Sequence, residues 1–220
     1  MLRRVMASRL VLYTDSFWIS PYVFSCFVAL HEKGVEFEAD PIALQQREHQ
    51  RAPYCDRSIT GRVPALQHGD YWVAESSAII EYVDEQYPAP AHPPLLPRDV
   101  CERARARQVM AWIRSDLDPL RMERPTTTMF YERANRPLTA AAQAAAEKLV
   151  RVSNLLLGPS KTQLFDTWSV ADADLAFMLH RLILNGDDVP AHLRAFADTQ
   201  WARPSIAAFV KRVRLPFEPY

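Results

Sequence analysis

The residues best suited to chemistry near the start of the chain are a serine and a proline between two apolar runs. Leu10 to Tyr13 reads as a strand, and "SPYV", Ser20 to Val23, opens an apolar, glycine-free segment that ends at Gly34. A residue that precedes proline is pushed out of the α region, whereas proline suits the first turn of a helix, so Ser20 is expected as N-cap and Pro21 as N1. The Ser20 hydroxyl then sits at the positive end of a helix. Free backbone N–H groups and the aligned dipole favour an anion there, a thiolate above all. No cysteine lies within the motif, and the nearest, Cys26, falls two turns into the helix. Ser16, Tyr13 and Tyr22 compete with Ser20 for the role of donor to such a sulfur.

The chain that must position this hydroxyl has 220 residues, enough for two ordinary domains. Its 26 basic and 26 acidic side chains balance, which removes the electrostatic footprint of a nucleic-acid binder. Cys26, Cys55 and Cys101 are odd in number and show no CxxC or metal spacing, so neither a disulfide framework nor a zinc site is expected. Arg3, Arg4 and Arg9 interrupt any apolar run before it reaches signal-peptide length, and no later stretch of 18 apolar residues could span a membrane. The expected location is the cytoplasm, with no membrane partner.

Strand and helix signals alternate up to about residue 90. Leu10–Thr14 reads as a strand, Pro21–Lys33 as a helix, Val35–Ala39 as a strand and Ala43–Arg51 as a polar helix. Strands at Ala65–His68 and Tyr71–Ala74 follow, then a helix over Ser76–Tyr87. The order is βαβαββα. Gly69-Asp70 separates the last two strands as a hairpin requires. "YPAPAHPPLLP", Tyr87–Pro97, reads as an extended linker. Beyond it the pattern is all helical: Arg98–Leu117, Thr139–Leu157, Val170–Asn185 and Pro204–Val213. The expected domains are 1–90 and 91–220. The first carries 8 basic against 12 acidic residues and the second 18 against 14, net charges of −4 and +4.

Three local signals in this order carry a resemblance: "SPYV", then "GRVPAL" (Gly61–Leu66), with Val-Pro just before a strand, then "ESSAI" (Glu75–Ile79), opening a helix. Together they resemble the glutathione transferase superfamily over nearly the full chain. "SPYV" is similar to the Cys-Pro-Tyr-Cys of glutaredoxins with both thiols replaced. The resemblance implies a thioredoxin-like N-terminal domain followed by a helical C-terminal domain, with glutathione as co-substrate and no metal. It also implies a homodimer. Ser20 would activate the glutathione thiol, and a cis Val63–Pro64 bond would expose the Val63 backbone to the cysteinyl part. Glu75 and Ser76 would meet the γ-glutamyl ammonium and carboxylate, an acceptor anion beside a hydroxyl and free N–H groups. Read alone, Ser76 or Ser77 is an ordinary helix cap. Under the same resemblance Arg62, His49 and Gln50 would approach the glycyl carboxylate; read alone, each is a solvated surface residue.

In the second half, "WSVADADLAF" places Ser169 and Asp172 in N-cap and N3 relation before an apolar run, a capping box with a structural role. His180 on that helix reads as a core histidine. The second substrate, a small electrophile or a peroxide, is expected against the first long helix near Trp112 and Ser115. There Arg107, Arg114 and Arg121 recur every two turns and read as a face salt-bridged by Asp116, Asp118 and Glu123. The reading is a glutathione S-transferase with a role in detoxification. Its rivals are a glutathione-dependent peroxidase or disulfide reductase and a non-catalytic binding protein of the same fold.

Overall fold

The computed structural model describes residues 9–220, which leaves Arg3 and Arg4 outside the described residues. The chain divides into two compact units: one runs up to Pro93 and regains Lys211–Tyr220, and the other is Pro94–Val210. The segment Lys211–Tyr220, read from the sequence as part of the helical domain, thus groups with the first unit.

The first unit has the thioredoxin-like order. It comprises β1 (Leu10–Asp15), α1 (Pro21–Lys33), β2 (Glu38–Ile42), α2 (Tyr54–Ser58), β3 (Ala65–His68), β4 (Tyr71–Ala74) and α3 (Ser76–Gln86). Its sheet runs β2-β1-β3-β4, with β1 parallel to β2 and antiparallel to β3, and β3 antiparallel to β4. Leu12 and Leu66 face each other in the register and are fully buried. Val23, Phe24 and Leu30 of α1 are buried with Ile79, Ile80 and Val83 of α3, and the two helices pack together. A buried ion pair joins them, Lys33 Nζ to Asp84 Oδ1 at 2.7 Å, with Lys33 also donating to Tyr87 O at 2.7 Å.

Two expectations shift here. The strand read at Val35–Ala39 forms at Glu38–Ile42, because Gly34 in the left-handed region caps α1 and Val35 N still donates back to Leu30 O. Pro41 inside that strand is tolerated because β2 is an edge. The helix read at Ala43–Arg51 is two 3₁₀ turns, Leu44–Gln46 and Glu48–Gln50, split by Arg47 at φ 57°. Cys55 lies in α2.

The second unit is helical: α4 (Val100–Ser115), α5 (Asp118–Glu123), α6 (Thr127–Phe130), α7 (Ala140–Leu157), α8 (Val170–Ile183), α9 (Ala191–Trp201) and α10 (Pro204–Val210). Every residue of α8 from Val170 to Leu182 is buried, and α4, α7 and α9 pack around it. α4 ends at Ser115, Leu117 at φ 64° is the N-cap of α5, and Pro119 falls in the first turn of α5 where the sequence suggested a stop. Arg121 reaches back to the Ile113 and Arg114 carbonyls at 3.0 and 2.9 Å and satisfies the open end of α4. Within the linker read at Tyr87–Pro97, Leu95 and Leu96 are buried and Leu95 O accepts from Val170 N. No helix among the described residues is long and apolar enough to cross a membrane.

Candidate functional site

Register brings the three segments to one end of the sheet. Tyr13 pairs with Ala65, and Ala65 pairs with Ala74. The end of β1 therefore lies beside the start of β3 and the end of β4, on strands about 4.8 Å apart. The residues leaving those ends are Ser16–Ser20, Val63–Pro64 and Glu75–Ser76. A direct contact marks the same end: Cys26 Sγ in α1 donates to Ser76 O at 3.6 Å.

Ser20 is the N-cap of α1 in an extended conformation, with Pro21 following in the first turn. Its Oγ accepts from Val23 N at 3.3 Å. A hydroxyl that accepts in this way keeps its own proton to donate, so capping does not exclude contact with an anion. The loop before it is fastened by Asp15, whose carboxylate accepts from Ile19 N at 2.8 Å and from Ser20 N at 3.1 Å. Burial pushes the Asp15 carboxyl above its ordinary range, while those two N–H groups and the Arg214 cation pull it back. Asp15 and Arg214 were not anticipated. The one local signal was an aspartate at the end of an apolar strand, four and five residues before the amides it holds.

The competitors of Ser20 are otherwise engaged or turned outward. Ser16 Oγ lies 3.4 Å from Gln45 Oε1 and its N–H donates to Ile42 O. The Tyr13 hydroxyl donates to Gln67 Oε1 at 2.9 Å, its ring stacks on Trp72 at 4.7 Å, and burial raises its pKa. Tyr22 is exposed on α1.

The Val63–Pro64 bond is cis, and the β3 ladder begins only at Ala65, so Val63 lies ahead of the paired strand. Glu75 takes φ 69°, an uncommon region for a side chain of this kind, and occupies the N-cap of α3 with no side chain closing that end. Ser76 is the first helical residue and is buried. His49 sits in the second 3₁₀ turn with Nε2 at 3.3 Å from Gln50 Nε2. A Cβ on Gly61 would come within 3.4 Å of His49 O, so the turn carrying His49 and the residue before Arg62 approach closely. Tyr54 donates to Arg62 O at 2.6 Å.

In the helical unit Trp112 lines an apolar groove of about 290 Å³ with Val109, Val152 and Leu156, and its Nε1 donates to Asp116 at 2.9 Å. Ser115 does not line that groove, and its hydroxyl donates to Ala111 O. Arg114 pairs with Asp174 at 2.6 Å and Arg121 with Asp118. Asp116 pairs with Lys148 rather than an arginine, and Glu123 accepts from the Thr139 backbone and hydroxyl. Asp172 accepts from Leu164 N at 2.6 Å and Ser169 N at 2.8 Å. No group of three or more His, Cys, Asp or Glu side chains spaced to hold a metal occurs among the described residues.

Residues 10–85 match the family model for the glutathione S-transferase N-terminal domain, and residues 99–213 match that for the C-terminal domain. A glutathione transferase homologue from Burkholderia GL BGR1, crystallised with bound glutathione, is 40% identical with a TM-score of 0.76, covering 92% of this chain and 96% of that one. Glutathione S-transferase 1 of Dianthus caryophyllus is 37% identical over 105 residues, 48% of this chain and 46% of its own length. Maleylpyruvate isomerase from Ralstonia sp is 36% identical over 109 residues, 50% of either chain. These matches to curated relatives span about half of the relatives' own length. With one family model covering each unit and a structural relative aligned over nearly the whole length, the chain belongs to the glutathione S-transferase family.

Proposed function

We propose that this protein binds reduced glutathione at the end of the sheet described above and activates its thiol for attack on a small electrophile. The observation that carries the reading is the convergence of three segments with complementary chemistry. Ser20 offers a hydroxyl proton at a helix N-terminus, Val63 offers backbone ahead of the ladder, and Glu75 with Ser76 offers an acidic group beside a helix end that no side chain caps. These match the sulfur, the cysteinyl amide and the zwitterionic γ-glutamyl group. The bound glutathione of the Burkholderia relative supports the same ligand. Arg62 and His49 would face the glycyl carboxylate.

The chemistry is one of charge stabilisation. A free thiol titrates near about 8.5, and lowering it by about two units requires about 2.7 kcal/mol. A hydrogen bond to a charged acceptor contributes about 1.5–3 kcal/mol, and a helix terminus about 0.3–1, rising to about 2 when partly buried. The proton leaves to solvent, Ser20 donates to the thiolate, and the sulfur lone pair forms the new bond to the electrophile as a leaving group departs with its bonding pair, or as the π pair of an activated double bond moves onto the electrophile and is protonated from solvent. A protein thiol is a weaker alternative, because Cys26 is buried and its Sγ donates to Ser76 O.

The test is calorimetry on Glu75→Ala. The variant is expected to lose most of its affinity for glutathione while its melting temperature stays close to that of the parent. Unchanged affinity would move the tripeptide elsewhere and end this reading.

A further inference from the structure

The segment 211–220 returns to the first unit and lies on the loop that presents Ser20. Arg214 Nε donates to Trp18 O at 3.2 Å. The Arg212 guanidinium lies 3.7 Å over the Trp18 ring, whose edge in turn meets Phe27 of α1 at 5.6 Å. Phe217 packs edge-on against Phe17 at 5.3 Å, and Tyr220 stacks on the same ring at 6.2 Å. Phe17 and Trp18 are both buried. Two consecutive loop residues are therefore contacted by four side chains of this segment.

The loop needs holding. Trp18 takes φ 54°, a conformation that a bulky side chain adopts only when its surroundings impose it. Beneath it Asp15 ties Ile19 N and Ser20 N, so the position of the Ser20 backbone depends on the same turn. Arg214 has a second effect, since it is the cation that acts on the buried Asp15 carboxyl. An uncompensated carboxylate in this loop would oppose a thiolate at the neighbouring helix end.

We propose that the segment 211–220 is a brace for the Ser20 loop, with Arg214 and Phe217 acting as positioning residues that set the Ser20 hydroxyl against the glutathione sulfur. The inference rests on the proposed glutathione site and deepens it. Misplacement of a reacting group by about 1 Å can reduce a rate by about a hundredfold, so loosening the brace should reach the chemistry without touching the residues that hold the tripeptide.

The experiment uses the full chain carrying Arg214→Gln with Phe217→Ala, and reads glutathione affinity by calorimetry beside the pH titration of thiolate absorbance in the bound state. Affinity is expected to stay within about threefold of the parent while the bound thiol titrates about one unit higher, a tenfold loss of thiolate well below that point. Phe217→Ala alone, which removes a half-exposed ring, should shift the titration the same way by less. Arg214→Lys, which keeps the cation, should restore most of the parent titration. A bound thiol that titrates at the parent's pH in both the double and the single variant would overturn the brace while leaving the glutathione site intact. A parent protein that does not bind glutathione would overturn both, and the calorimetry separates that outcome from the first.

Discussion

Two helices of this protein begin with a serine cap accompanied by an aspartate, and they put the pair to opposite uses. At α8 the aspartate follows the serine. Asp172 accepts from Ser169 N, from the Ser169 hydroxyl at 3.1 Å and from Leu164 N, and both residues are fully buried. At α1 the aspartate precedes the serine. Asp15 accepts from the Ile19 and Ser20 amides, and the Ser20 hydroxyl accepts from Val23 N without giving up its proton. The order of the two residues along the chain thus decides whether the hydroxyl proton is used inside the fold or remains to meet a ligand. α3 extends the contrast, because Glu75 stands at its N-cap and no side chain closes the end.

The largest effect should come from breaking the closed member of the pair. Asp172→Ala removes the acceptor of two buried backbone donors, and each donor left without a partner costs about 1–3 kcal/mol. With the lost cap added, the expected destabilisation is about 3–5 kcal/mol by urea denaturation. Glutathione affinity at low denaturant should not change in the fraction that remains folded. A loss under about 1 kcal/mol would mean that α8 does not depend on this box.

A second effect sharpens the comparison through pH. Burial pushes His180 down to about 4, against the upward pull of the Ala197 backbone and of Asp198, whose carboxylate lies 3.8 Å away. The unfolded chain binds the proton near about 6.5, so between those values the unfolded state holds more protons. The stability contributed by neutral His180 is present above about 6.5 and is lost as pH falls toward 4, a change of about 3 kcal/mol. Asp172 works in the other direction. Burial raises it to about 6 despite its hydrogen bonds, so its contribution is greatest near pH 4 and declines as pH rises to 6. Urea midpoints at pH 7 and pH 4 should therefore show a modest acid loss in the parent. His180→Phe should lose about 3 kcal/mol less than the parent over the same interval. Equal losses in the two proteins would mean that His180 is protonated in the fold.

Much of this was legible because the signals were local. Pro21 and Gly34 bound α1, the hairpin residues bound β3 and β4, and the Ser169–Asp172 spacing marks α8; each boundary is set within a few residues of the chain. Ser20 is marked by its own junction, whereas Val63, Glu75 and Ser76 are named only through the resemblance that the ordered motifs carry. Their convergence could not be read from composition or spacing, since it follows from a register that pairs Tyr13 with Ala65 and Ala65 with Ala74. α9 escaped notice because Pro190 rather than a hydroxyl or carboxylate side chain precedes it, and its residues are mixed in polarity. Arg47 at positive φ broke a helix that periodicity alone would have continued. The brace was least visible of all. Arg214 and Trp18 lie 196 residues apart, and no local pattern links an arginine after a helix to a tryptophan in a loop.

The smallest expected change in stability belongs to the open member of the pair and decides what its hydroxyl does. Ser20→Ala removes the side-chain acceptor of Val23 N, the loss of one N-cap hydrogen bond, so the stability should fall by about 1 kcal/mol. If capping is the whole role, the thiol of bound glutathione should titrate at the same pH in parent and variant. If the hydroxyl proton meets the sulfur, that titration should rise by about one to two units, since a hydrogen bond to a charged acceptor contributes about 1.5–3 kcal/mol and one unit corresponds to about 1.4 kcal/mol. Ser20→Thr retains both the acceptor and the proton and should restore the titration as well as the stability. A variant that loses the cap energy alone would leave Ser16, already within 3.4 Å of Gln45, as the next hydroxyl to test at this end of the sheet.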